Sequence, residues 1–386
     1  MRQAMLRSGG LVWVAMMAAA LAVESAAAQS PPKGDLSAYI SPEFCAAVVI
    51  HPQRLAESPI LAKLPKKADQ SGPADMGAAM LALSQVPAAQ KVNLMKLAEA
   101  LAGNALRRIV VVVDPTPNEA GPVSGGVILQ FDAELDGDVL FPAVVPDAQK
   151  KEIQGAACYT FKPEGPKEVT VAACARGKIV LVAPEATMKK MLTPASAVGP
   201  LLGQLRKTGL ANDVIVEYAA QPLSKGLAAG GMSLEKLAQA DPQVALATQI
   251  QAASVTLNLS GETLLAAQLA VKDEAAAAQM AAMLEGVKAM GQQQFEALKQ
   301  QPMPMLPPQL SEQLFTVVGD LLGKTKVDKS RATVSLTIGM PKGLAELLEQ
   351  AAQMAAMFQA GAGGMPPGMP GADPTSKPPA KGKPKK

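Results

Sequence analysis

Apolar residues fall along this chain in two textures: short dense runs closed by Pro, Gly, Asn or Asp, and longer stretches where they recur every three or four positions. Cys45 to Ile50 (CAAVVI) is a dense run ended by His51-Pro52, and Leu55, Ile60, Leu61 and Leu64 follow at helical spacing. A strand entering a Pro-initiated helix is predicted, with Pro59 kinking or restarting the helix. A second helix is predicted within Asp75 to Leu101, interrupted near Pro87. Arg108 to Val113 (RIVVVV), closed by Asp114-Pro115, and Gly126 to Phe131 (GVILQF) read as strands, because β-branched runs between turn formers favour extended backbone. The first is apolar at odd and even positions alike and should be central in its sheet. ACYTFK, VTVAACA and KIVLVA follow, separated by PEGPKE and by the turn Arg176-Gly177. That spacing predicts an antiparallel meander, with a helix beginning near Pro184.

The same order then recurs. Asp213 to Tyr218 (DVIVEY) runs into Gln221-Pro222 and a helical region, as CAAVVI runs into His51-Pro52. Val255 to Leu259 alternates apolar and polar residues, turns at Ser260-Gly261 and returns through Thr263 to Val271, a hairpin that corresponds to RIVVVV plus GVILQF. Met280, Met283, Leu284, Val287, Met290 and Leu298 share one stripe of a helix predicted over Asp273 to Gln300, with Asp273 as N-cap. Such a stripe of Met, Leu and Val reads as core packing. Thr325 to Asp328 turns into Ala332 to Ile338, where Val334, Leu336 and Ile338 alternate with Thr333, Ser335 and Thr337. A closing helix is predicted over Pro341 to Phe358, with Pro341 in its first turn. Each half reads as β, α, β-β, α, β-β, α. The predicted class is α+β: two similar halves of largely antiparallel sheet, residues 29–210 and 211–360, with helices packed on one face.

The ends differ from this body. Arg2 and Arg7 precede the apolar stretch Leu11 to Val23, and Ala26-Ala27-Ala28 stands ahead of Gln29. Residues 1–28 therefore read as a secretory signal peptide cleaved after Ala28. The apolar stretch of 13 residues would span about 20 Å at ~1.5 Å per residue, short of the ~30 Å hydrocarbon core. The first cysteine, Cys45, lies too far downstream to carry a lipid at the cleavage site. A soluble exported protein, periplasmic or extracellular and without a transmembrane helix in the mature chain, is expected. Residues 361–386 are a Pro/Gly/Lys-rich segment expected to be disordered.

The stretch AYISPEFCAAVVIHPQRLAESPILAKLP, with its strand, His-Pro step and Ser-Pro helix, resembles the start of a family of uncharacterised exported proteins from planctomycete-type bacteria. The hairpin SVTLNLSGETLLAAQLAV followed by an Ala-rich helix is similar to members of the same group, so the resemblance covers most of residues 36–345. It implies export and this architecture, and brings no catalytic residue with it.

Composition narrows the chemistry. Hydrophobic residues make up 49% and charged residues 18% of 386, with a formal net charge of +3, which excludes a chain disordered throughout. The tail, with five lysines against Asp373, nets +4 and leaves the body between it and the leader near −2, so the body offers no basic face for nucleic acid. The chain has one His, one Trp and three Tyr, which leaves little material for metal cages or stacking platforms. A His-based metal site or a Ser-His-Asp arrangement would rest on His51 alone, and a single His at a strand-to-helix junction reads as structural. H-E-x-x-H, G-x-x-x-x-G-K-[ST], G-x-S-x-G and C-x-x-C do not occur. One Ser-x-x-K, Ser233 to Lys236, has the spacing by which the penicillin-recognising enzymes activate a nucleophile, but those enzymes also need S-D-N and K-T-G elements, and neither is picked out beside it. Ser233 after Gly230-Gly231 reads better as a helix N-cap. Met303 with Met305 and Met365 with Met369 invite a Cu(I) reading, which the Gly/Pro setting of the second pair weakens.

Pairing Tyr159 with Ala173 and Phe161 with Val171 puts the large apolar side chains of the meander on one face, and that register sets Cys158 opposite Cys174. Cross-strand neighbours lie ~4.5–5.5 Å apart at Cβ, close enough for a disulfide in an oxidising compartment, with Cys45 left as a buried thiol. No catalytic, cofactor or metal residue is assigned and no cofactor is expected. The expected role is a non-enzymatic binding or cell-envelope-associated protein, its partner an apolar ligand or an envelope component. The alternative is an exported hydrolase-like enzyme using Ser233 and Lys236 or another site.

Overall fold

In the computed structural model, residues 36–61, 106–117, 124–162, 169–193, 198–231, 233, 238–239, 248–300 and 307–362 are described, the side chains of 355–362 excepted. The first half runs β1 (Ala46–Ile50), α1 (Pro52–Glu57), β2 (Leu106–Asp114), β3 (Ser124–Phe131), α2 (Gly137–Val144), β4 (Gln149–Ile153), β5 (Ala156–Phe161), β6 (Val171–Arg176), β7 (Ile179–Pro184), α3 (Glu185–Leu192) and α4 (Pro200–Thr208). The second runs β8 (Val214–Ala219), α5 (Ala220–Ala229), β9 (Ile250–Leu257), β10 (Thr263–Val271), α6 (Glu274–Lys299), α7 (Pro308–Gly323), β11 (Thr325–Ser330), β12 (Thr333–Gly339) and α8 (Leu344–Ala362).

All twelve strands form one sheet in the order β11-β12-β10-β9-β8-β1-β2-β3-β7-β6-β5-β4. Every neighbouring pair is antiparallel. The class is α+β with an antiparallel sheet, as expected. Read outward from the β1–β8 junction, β1-β2-β3-β7-β6 and β8-β9-β10-β12-β11 match step for step, and the first half adds β5 and β4 at its edge. The junction joins the halves edge to edge through pairs such as Val48 with Val216.

Alternation along the strands decides where the helices lie. Val110, Val112, Ile128, Leu181 and Ile215 point to one face, where Met188 and Met191 of α3 and Leu201, Leu202 and Leu205 of α4 cover them. Their neighbours Phe131, Ala173 and Val180 point to the other face and meet Leu140, Phe141 and Val144 of α2, while Val48, Ile109 and Val111 on that side meet Leu55 of α1. Strand β2 is thus buried on both faces in the middle of the sheet, as its unbroken apolar run requires. The single helical face expected from the sequence becomes two, because the first half is apolar on both sides.

Beyond β8 the pattern of the second half is amphipathic. Lateral pairing aligns Tyr218, Ala253, Leu269 and Val334 in one row, and Val334 and Leu269 pack with Ala276, Ala277 and Met280 of α6. This is the α1 and α2 face, as the continuation of the row to Ala46 and Val113 establishes. The opposite face carries Glu217, Ser254, Thr256, Gln268, Ser335 and Thr337, the polar side of an amphipathic sheet.

Several local expectations are adjusted. Asp273 caps α6 as predicted, its Oδ1 accepting from Ala276 N at 2.8 Å. Arg176 pairs with Ile179, so the meander turn is Gly177-Lys178, with Gly177 at φ 61°. The closing helix starts at Leu344, after Gly343 at φ 77°, which leaves Pro341 outside it. The helix predicted within Asp75 to Leu101 and the segment 363–386 lie outside the described residues.

Candidate binding surface

Three buried carboxylates sit on the central strands, and each is held by donors. Asp213, just before β8, accepts from Arg54 Nε at 3.1 Å and from Leu259 N at 2.6 Å. Beside it His51, at the end of β1, accepts at Nε2 from Arg108 Nε at 2.9 Å. Burial, reinforced by the positive charges of Arg108 and Arg54, pushes the His51 pKa down to about 4, so the imidazole is neutral at neutral pH. Its Nδ1 is buried without a hydrogen-bond partner. The neutral ring spends its acceptor nitrogen on the Arg108 guanidinium of β2 and is not poised as a base, while Arg54 with Asp213 ties α1 to the start of β8.

At the other end of β2, Asp114 accepts from Lys190 Nζ at 2.9 Å and from Thr187 Oγ1 at 3.2 Å, tying α3 to the sheet. Lys190 also reaches Glu43 at 2.9 Å. Glu217 of β8 is fully buried, and its Oε1 accepts from Thr208 Oγ1 at 2.5 Å and Ser254 Oγ at 2.8 Å. Gln204, in the amide orientation that satisfies both its ends, donates to Glu217 Oε2 at 3.2 Å and Tyr218 O at 2.9 Å. Desolvation raises the Glu217 pKa, against the pull of the two hydroxyl donors. The fold spends these groups on joining helices to strands. Among the described residues no three His, Cys, Asp or Glu side chains converge where a metal could sit.

The surface with unspent capacity is apolar. On the α6 face of the second half, Val216, Val255, Ala267 and Leu336 form one lateral row and Val214, Leu257, Leu265 and Ile338 another. All eight are only half-buried. Helix α6 packs across β10, β11 and β12 on this face, and α7 packs against α6, α8 and β12. Phe295 of α6 is buried edge-on against Phe315 of α7, ring centroids 5.9 Å apart.

Helix α6 has more apolar width than it buries. At ~100° per residue, Leu284, Gly291 and Phe295 lie to one side of Met280, and Met283, Val287 and Met290 lie within about 80° on the other side, while Leu298 stands in line with Met280 five turns further along. The second group stands 41% to 55% exposed. Three of the six large apolar side chains exposed among the described residues lie on this flank and a fourth, Leu298, is on the same helix, so the exposure is concentrated on α6 and is not scattered. The Met/Leu/Val stripe predicted as core is therefore core only at Met280 and, in part, Leu284. The flank signal was legible in the sequence as an arc too broad for one seam.

Of the other residues singled out by sequence, Ser233 follows the end of α5, while Lys236, Met303, Met305, Met365 and Met369 lie outside the described residues. The chain also holds a Lys207-Thr208-Gly209 triplet of the kind the penicillin-recognising enzymes need, which the motif reading omits. Here it closes α4, Thr208 bonds Glu217, and Gly209 takes φ 70° beyond the helix end. Cys158 and Cys174 are buried thiols in the β5–β6 pair, and Cys45 donates to Val113 O at 3.6 Å. No described helix is long and apolar enough to cross a membrane.

No protein-family model and no curated protein matches the chain. A solved structure, crystal form I of the spirochete protein TP0453, aligns with 86% of this chain and 98% of its own at 8% identity and a TM-score of 0.36. A likeness at that level defines neither a shared fold nor a shared role.

Proposed function

We propose that this is an exported, non-enzymatic binding protein of the cell envelope that takes an apolar ligand on the α6 face of its second half. The observation that carries the reading is the exposed flank of Met283, Val287 and Met290, with exposed Leu298 beyond it on the same helix, on the same face as two half-buried apolar rows of the sheet. Uncovered apolar surface beside a scaffold whose buried carboxylates are all held by donors suits capture of hydrocarbon, and unbranched Met adapts to varied shapes. Export and envelope residence are supported by the Arg-flanked apolar leader ending at Ala28 and by the family resemblance.

The test is a titration of the purified mature chain with 1-anilinonaphthalene-8-sulfonate and with a fluorescent fatty acid. The triple variant Met283→Gln, Val287→Gln, Met290→Gln changes only exposed positions, so it keeps its far-UV circular dichroism and loses at least tenfold in affinity for the probes. The same change at the unrelated exposed positions Val139 and Val198 leaves binding intact. Equal binding by all variants overturns the assignment to this surface.

A further inference from the structure

Strand β5 pairs with β6 through Tyr159 with Ala173, Thr160 with Ala172 and Phe161 with Val171. One more step of that register sets Cys158 against Cys174. Both side chains are fully buried and belong to one apolar cluster with Ile153, Ala156, Ala172 and Leu181, so both point to the same face. Directly opposed residues of an antiparallel pair have Cα atoms about 4.5–5.5 Å apart, within the ~4.4–6.8 Å that a disulfide spans. The proximity of the two thiols raises the Cys158 pKa and lowers that of Cys174. Cys174 donates to Ala157 O at 3.3 Å.

Cys45 cannot compete. Its strand lies four positions along the sheet from β6, or about 19 Å at ~4.8 Å per strand. Burial also pushes its pKa up to about 12, which keeps it a protonated, unreactive thiol.

We infer that Cys158 and Cys174 are the site of a cross-strand disulfide that forms as the β5–β6 edge of the sheet assembles in an oxidising medium. The two thiols release two protons and two electrons, an S–S bond forms, and an oxidised partner of the disulfide class, such as glutathione disulfide, is reduced to two thiols. The bond closes the loop between β5 and β6 and holds together the edge where the first half exceeds the second. Because both sulfurs lie in the apolar core, oxidation happens during folding, and the finished bond is shielded from thiol reductants.

The full chain is refolded in a mixture of reduced and oxidised glutathione, unfolded in acid and denaturant, and alkylated with a maleimide before mass analysis and peptide mapping. One alkylated thiol at Cys45, with the peptides of Cys158 and Cys174 linked, supports the inference. Three alkylated thiols, a glutathione adduct at Cys158 or Cys174, or a link through Cys45 overturns it. A second readout avoids dependence on any variant's folding: the oxidised chain resists dithiothreitol when native and is reduced once unfolded, with a fall in Tm of about 5–10 °C after reduction. Equal Tm for chains with and without the linked peptide, or rapid reduction in the native state, counts against a core bond.

Discussion

His51 and Glu217 give the protein opposite responses to pH. The folded-state pKa of His51 is lowered from 6.5 to about 4, so between those values the unfolded chain binds a proton that the native chain does not. Its contribution is full above 6.5 and is lost as pH falls toward 4. Glu217 is raised from 4.5, so native protein holds the proton more tightly, and its contribution is full below 4.5 and is lost as pH rises through the higher folded value. Thermal unfolding across pH 4 to 8 should separate them. Glu217→Gln keeps acceptors for Thr208 and Ser254, so its Tm rises relative to the parent as pH increases. His51→Gln flattens the loss on the acid side, at an overall cost of about 2 kcal/mol from disturbing the contact with Arg108. A Glu217→Gln difference that shrinks with increasing pH would mean the carboxylate is ionised and well solvated.

Individual elements are shaped by close approach at a few glycines. Gly226 of α5 faces Pro115, where an added Cβ would meet ring and backbone atoms at 2.7 to 2.9 Å. Gly203 of α4 has nothing within 4 Å of the same position. Urea unfolding should therefore give opposite signs for the same substitution: Gly203→Ala stabilises by about 0.5–1 kcal/mol through helix propensity, and Gly226→Ala destabilises by about 1–3 kcal/mol through overpacking. Matching signs would show that α5 can shift off Pro115. The two edges of the sheet follow a different rule. Strand β4 exposes Lys150 and Lys151, and β11 exposes Lys326 and Lys329, charges that discourage pairing with another chain. Polar edges of this kind have no hydrophobic pattern, which is why β4 is missing from the sequence reading while its apolar neighbours β5 to β7 are present. Helix α2 is missing for another reason: it is eight residues long with Pro142 inside it, and its apolar face becomes meaningful only against Tyr159 and Ala173.

At the scale of the whole molecule, the two halves share more than a seam. Strand β8 begins the second half, yet Ile215 and Ala219 belong to the core under α3 and α4, and Val214 and Val216 border the cluster of β1 and β2 on the other face. Opening the β1–β8 pair would expose apolar rows on both faces at once. Native-state hydrogen exchange at increasing denaturant should therefore find β1, β2, β8 and β9 opening together with one free energy. Release of β8 and β9 at a clearly lower value would make the halves independent units.

The positions of the apolar strands, the amphipathic alternation of β12, the Asp273 cap and the β5–β6 register were written locally, because neighbouring residues along the chain decide which side chains share a face. The repeated order of elements was legible for the same reason. Tertiary structure alone decided three things. Edge-to-edge joining at β1–β8 uses backbone hydrogen bonds, which every sequence offers alike, so no side-chain pattern announces it. Placement of α3 and α4 on one face and of α1, α2 and α6 on the other depends on which surfaces the assembled sheet leaves apolar. Exposure of the α6 flank depends on how much of a broad apolar arc α7 and the sheet can reach: periodicity measures the width of that arc, and only packing determines how much of it is covered.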